Sequence, residues 1–119
     1  MSKFILALFI FISNPVHADS WTQDDIRREQ EYLTYHILDW AQTRHISSRP
    51  ETWYETNSIL GKHPSAIKVD RYFLATGLAH IGVSAILPRD LRAVFQHVSI
   101  VIESGFVNHN FSIGLSAGF

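Results

Sequence analysis

The chain of 119 residues contains no cysteine. That excludes a disulfide, a thiolate nucleophile and a Cys-ligated zinc or iron–sulfur centre. Neither sign of charge dominates: ten Lys and Arg stand against eleven Asp and Glu, a formal charge of −1. Without a basic excess or stripe the chain does not read as a nucleic-acid binder. Nor is it a disordered segment, with 46% hydrophobic, 13% aromatic and only 18% charged residues. The nucleophile elbow, zinc-protease, phosphate-loop, dinucleotide and calcium-loop motifs are missing. Its seven histidines repeat no known ligand spacing, so neither a metal nor another cofactor is expected. An enzyme would have to gather its site from separate helices. The length allows one domain with a single core.

The strongest feature is an export signal over residues 1–18. Lys3 gives the positive start, and residues 4–12 form an unbroken apolar run of nine. Ser13-Asn14-Pro15 breaks that run, and Val16-His17-Ala18 places a small residue before a cut ahead of Asp19. A run of nine is too short to cross a bilayer, which takes roughly 20 residues. Residues 19–119 are then a single helical domain of 101 residues with a charge of −2, because only Lys3 is lost. Freedom from cysteine is compatible with an oxidising compartment.

Periodicity predicts an all-α domain. A first helix over 23–46 opens at Thr22 and Asp25, which have capping-box spacing. Ile26, Leu33, Ile37, Trp40 and Ala41 recur as its apolar stripe, opposite Tyr35, His36, Asp39, Gln42 and Thr43. The connection 47–64 is rich in turn residues but long, and a turn of helix is expected inside it. A second helix runs over 65–87, of which residues 72–87 carry no formal charge. Pro88-Arg89-Asp90 starts a third helix, to about residue 107. Leu91, Val94, Phe95, Val98, Val101, Ile102 and Phe106 share one of its faces, and Arg92, Gln96, Ser99 and Glu103 another. The tight charged turn makes the last two helices an antiparallel apolar hairpin. Residues 111–119 alternate apolar and small polar residues, the period of a short strand.

This hairpin reads either as membrane-embedded or as the core of a periplasmic bundle. Sixteen uncharged residues span roughly 24 Å at helical rise, short of a ~30 Å hydrocarbon core. Glu103 costs about 2.5–3.5 kcal/mol at a membrane centre unless it faces protein. Association with the inner membrane, on its periplasmic side, is the favoured reading, with a soluble periplasmic bundle as the alternative. The plainer reading of the tail 111–119 is a short segment packing its aromatics on the helices, and the alternative is a strand added to an envelope protein partner.

Candidate site residues are the polar side chains on these helices and in the connection. His36, Asp39 and Thr43 share a face, and a His–carboxylate pair can orient an imidazole for proton transfer. A solvated or bundle-facing polar stripe is the plainer explanation. His80 lies mid-run in the most apolar segment, where Gln96 or His97 matches its depth. Glu103 is expected to meet the start of the second helix, near Lys68, Arg71 or Tyr72.

Asp39-Trp40-Ala41-Gln42-Thr43, followed by Glu55-Thr56-Asn57-Ser58-Ile59-Leu60-Gly61, resembles a group of small bacterial and prophage-encoded membrane-associated proteins with Asp-x-x-Gln-Thr and Glu-x-Asn-Pro-x-x-Gly motifs. Ser58 stands where that group carries proline. The resemblance, over residues 38–115, implies a helical membrane-associated protein with Asp39, Thr43, Glu55 and Asn57 in a polar cluster, and it brings no activity with it. Asp39 and Glu55 are suited to accepting backbone N–H groups or pairing with Arg44. The expected function is therefore an exported, non-enzymatic accessory protein of the envelope. The alternative is a small enzyme or ligand-binding protein using His36, Asp39, Glu55 and His80.

Overall fold

A computed structural model of the protein describes residues 19–118. The export signal read in residues 1–18 lies outside the described residues. Three helices make up the fold: α1 (Gln23–Ser48), α2 (Ala66–Ile86) and α3 (Arg89–Ser112). α1 starts at a complete capping box, in which the Thr22 hydroxyl accepts from the Asp25 amide and the Asp25 carboxylate accepts from the Thr22 amide. Ser65 caps α2 by accepting from the Lys68 amide. Pro88 stops α2 by forcing Leu87 into an extended conformation, and α3 begins at the next residue.

α3 runs five residues beyond its expected end and absorbs Phe111 and Ser112. It stops in a Schellman motif: the Leu115 amide donates to the Asn110 carbonyl and the Gly114 amide to that of Phe111. Gly114 takes the left-handed conformation, φ +90°, that this turn requires. The tail therefore forms no strand among the described residues. Its alternation serves packing instead, because Leu115 and Ala117 are buried while Gly114 and Gly118 are exposed. The connection between α1 and α2 holds two single turns, closed by bonds from the Trp53 amide to Arg49 and the Gly61 amide to Asn57, and no helix.

α2 and α3 run antiparallel through their turn, yet each packs chiefly on α1. Their own meeting is confined to the turn end, where Arg92 reaches the Ser84 carbonyl and Phe95 stacks on His80. α1 and α3 lie parallel and in register: Asp25 pairs with Arg92, Glu29 with Gln96 and His36 with Glu103, a constant offset of 67 residues. α2 runs the other way along α1, so Glu29 meets His80 and Ser84, His36 meets Phe73, and Trp40 meets Asp70.

The buried seams of α1 and α3 are largely polar, and the exposed face of α3 is apolar. α1 buries Asp25, Glu29, Tyr32, His36, Gln42 and Thr43, and leaves Ile26 and Ile37 in the open. α3 buries Arg92, Gln96 and Val107, whereas Leu91, Val94, Val98, Val101, Ile102 and Phe106 are all more than half exposed. The apolar core proper is small. It joins Leu60, Val69 and Phe73 at the loop end, with Trp40 and Tyr72 packed against them.

Candidate functional site

Two polar clusters lie along the buried face of α1. The first, near the α2–α3 turn, centres on Arg92, which is fully buried. Its guanidinium donates to Asp25 at 2.9 Å, to the Ser84 carbonyl at 2.6 Å, and to the carbonyls of Asp19, Ser20 and Leu87. The Trp21 ring covers it at 5.0 Å. Burial alone would push the Asp25 carboxyl up, but the Thr22 amide, Arg92 and the Thr22 hydroxyl together hold it below its ordinary value. Glu29 is treated alike. Burial raises its pKa, and the stronger opposing effects of His80 (2.7 Å), Gln96 (3.0 Å) and Ser84 (2.9 Å) bring it down. His80 is clamped between the Tyr32 and Phe95 rings at 3.5 and 4.5 Å, with its Nε2 buried and unpartnered. Gln96 links both carboxylate residues, since it also donates to the Asp25 carbonyl and accepts from Arg28.

The second cluster lies two turns further along α1. His36 Nε2 is 2.8 Å from the Phe73 carbonyl, and Nδ1 is 3.3 Å from the Tyr32 hydroxyl and 3.5 Å from Glu103. Burial would lower the His36 pKa, but Glu103 and the Phe73 carbonyl outweigh it and raise it. Asp39 lies within hydrogen-bonding reach of Glu103 and accepts from Thr43 at 3.4 Å. Burial, then the charges of Glu103 and Glu55, push its carboxyl up to about 8, against the weaker pull of Thr43. α2 approaches closely here because of Gly77: a Cβ there would meet the His36 ring at 3.3 Å.

Of the residues singled out from the sequence, His36, Asp39, Thr43 and Glu103 converge, with Glu55 close enough for its charge to act on Asp39. Among the described residues Glu103 makes no ion pair or hydrogen bond with Lys68, Arg71 or Tyr72, because α3 packs on α1 and the Glu103 carboxylate turns toward His36. Glu55 and Asn57 organise the connection. One Glu55 oxygen accepts from the Thr56 and Asn57 amides, while Asn57 accepts from the Ile59 amide and donates to the Tyr72 hydroxyl. Gly61, at φ +80°, completes that turn. The Glu-x-Asn segment is thus a loop scaffold that sets buried Leu60 into the core. Arg44 pairs with Asp70 across to α2, not with Asp39 or Glu55. Gln42 donates to the Val107 carbonyl and accepts from Asn110. His80 belongs to the first cluster. Among the described residues no group of three or more His, Asp or Glu side chains is arranged to hold a metal ion.

Sequence reasoning missed Asp25, Glu29, Tyr32, Arg92 and Gln96 as members of the interior. A signal was present: on α1 the positions 25, 29, 32, 36, 39, 43 and 46 follow alternating steps of four and three, the spacing of a buried helix seam. No protein-family model, curated protein or solved structure matches the chain.

Proposed function

We propose that this is an exported, non-enzymatic accessory protein of the cell envelope, associated with the inner membrane on its periplasmic side and acting by interaction. The apolar exposed face of α3 over a largely polar interior carries the reading. From Tyr72 to Ser112 the formally charged residues are Arg89, Asp90, Arg92 and Glu103. The first two sit at the turn, and the other two are directed at Asp25 and His36. From Tyr72 onward the outer faces of α2 and α3 are therefore free of formal charge away from the turn, with exposed Val83 and Ile86 on one and Leu91 through Phe106 on the other, while exposed Lys68 and Arg71 keep the first turns of α2 charged. Monomers in water seldom leave so large a contiguous apolar surface uncovered, because it marks a membrane or partner contact. Lipid supplies that cover while most of the polar groups find partners inside, His80 Nε2 and one Glu103 oxygen excepted. No helix of the described residues is long and apolar enough to cross a membrane, so the proposed arrangement is a bundle laid against the bilayer by its apolar side. The apolar run 4–12 and the resemblance to bacterial and prophage-encoded membrane-associated proteins support the same location. An envelope protein partner would then engage α3 or the tail.

The test is fractionation of the expressed protein, with mass determination of its N-terminus and carbonate extraction of membranes. A chain starting at Asp19 that resists carbonate supports the proposal, and release into the soluble periplasmic fraction contradicts it. A ligand-binding or catalytic role is favoured by one observation, the neighbouring carboxyls of Asp39 and Glu103 beside His36. In that case Asp39→Asn abolishes function at unchanged abundance. An interaction protein instead loses function when the outer face of α3 is made polar or residues 111–119 are deleted.

A further inference from the structure

We propose that His36, Asp39 and Glu103 form a proton-binding latch that fastens the C-terminal half of α3 to α1 and releases it as pH rises. This goes beyond the membrane reading and does not depend on it. The geometry of His36 comes first. A carbonyl only accepts, so the ring nitrogen 2.8 Å from the Phe73 oxygen carries a hydrogen in every state. The other nitrogen, Nδ1, faces two partners. Without a proton it accepts from Tyr32, four residues back on the same helix, and has nothing to offer Glu103. With a proton it becomes a donor to Glu103 on α3, 3.5 Å away.

Asp39 works in the same sense. Protonated, it gives the Glu103 carboxyl a donor from α1, and one oxygen of Glu103 is buried without any hydrogen bond of its own. Ionised, it sets two carboxylates against each other in a largely occluded site, with Glu55 in the connection adding a third negative charge. The remaining groups at the cluster are neutral: Tyr32 and Thr43 from α1, and the Thr76 hydroxyl and Tyr72 from α2. Glu29 acts on Tyr32 from the other cluster but is saturated by its own donors. The salt bridges among the described residues bring this group no lysine or arginine. Each bound proton thus adds an attraction between α1 and α3, and each lost proton removes it or replaces it with repulsion. At the turn end, by contrast, α3 is held by Arg92, whose charge is permanent. Beyond Glu103 its side-chain hydrogen bonds to α1 among the described residues are the neutral ones of Gln42 with the Val107 carbonyl and Asn110, beside the buried Val107. The raised value of Asp39, about 8, places its proton release near that pH, and the His36 value is raised in the same direction.

The freedom from cysteine allows a direct test on the full chain in dodecyl maltoside. Spin labels on Ile37→Cys and Val101→Cys, both exposed, report the α1–α3 separation at the latch. Labels on Arg27→Cys and Leu91→Cys report it at the turn end. The latch pair is expected to gain a longer-distance population as pH passes about 8, while the turn-end pair stays fixed. Asp39→Asn and Glu103→Gln, each removing one of the facing carboxylates, should both suppress that population up to pH 10, and either variant alone suffices if the other does not fold. A latch-pair distance that never changes with pH, or one that changes with the same midpoint in a folded variant, overturns the proposal.

Discussion

Replacing Arg92 by methionine tests whether the polar interior holds the bundle together. Arg92, on α3, reaches the N-terminal segment, α1 and the end of α2 at once. Methionine fills much of the volume but removes all five donors. Asp25 then remains as a fully buried carboxylate served by Thr22 and Arg28, and the Ser84 carbonyl loses its side-chain donor. Breaking a buried ion pair from one side costs ~3–5 kcal/mol, and a buried acceptor left without a donor adds ~1–3 kcal/mol. The carbonyls of Asp19 and Ser20 belong to exposed residues and can turn to water. A total of about 4–8 kcal/mol is expected, against roughly 5–15 kcal/mol for a domain of this size. In thermal unfolding followed by circular dichroism, that is a fall in Tm of about 20 °C or more. Arg28→Met is the matched control. Arg28 is part-exposed and leaves Asp25 paired with Arg92, so the loss should be only ~1–2 kcal/mol. Equal losses for the two variants, or a loss below ~1 kcal/mol for Arg92→Met, would refute the reasoning.

Other perturbations address the remaining parts of the interior. Gly77→Ala pushes a methyl to 3.3 Å from the His36 ring, and should cost ~1–3 kcal/mol in urea unfolding while weakening the His36 bond to the Phe73 carbonyl. Asp39 carries a folded pKa of about 8 above an ordinary 3.8, so the folded state holds the extra proton and stability declines as pH rises between those values, by at most ~1.4 kcal/mol per pH unit. Urea midpoints measured from pH 4 to 9 should show that slope flattened in Asp39→Asn. Asp25 and Glu29 work on the acid side, because their lowered values give stability that is present above the usual carboxylate range and lost as pH falls through it. Glu29→Gln should shallow that acid transition. Glu55→Ala removes the acceptor of two loop amides, and faster amide exchange at Thr56 and Asn57 is the expected readout.

Helix positions were legible in the sequence, and the direction each helix faces was not. Thr22 with Asp25, Ser65, and Pro88 announced the helix starts through local chemistry that operates whatever the surroundings. Facing direction was inferred from the rule that apolar stripes seek the core, which holds when the outside is water. Here Ile26 and Ile37 are exposed while Asp25, Glu29 and His36 are buried, so the rule assigned α1 the wrong side. The largely polar seam on α1 and its match on α3 (92, 96, 99, 103, 107 and 110) were in the sequence as steps of three and four. Their meaning depends on pairing, since a buried Arg92 is tolerable only with Asp25 opposite it. Glu103 was placed at the right depth, level with Phe73 through His36, but counting along the α2–α3 hairpin left out α1, the closer partner of both helices. The Glu-x-Asn segment stood out in the sequence, but its scaffold role follows from amides that no residue pattern names.

The most direct test of the central claim, that the outer face of α3 meets lipid while its polar face meets α1, is a cysteine scan of α3 in membrane vesicles, with nitroxide labels read for collision with oxygen and with a water-soluble nickel chelate. Positions 91, 94, 98, 101 and 106 should be open to oxygen and closed to nickel, and positions 92, 96, 103 and 107 should be closed to both. Free access of the nickel chelate to Val94, Val98 and Val101 would contradict the account.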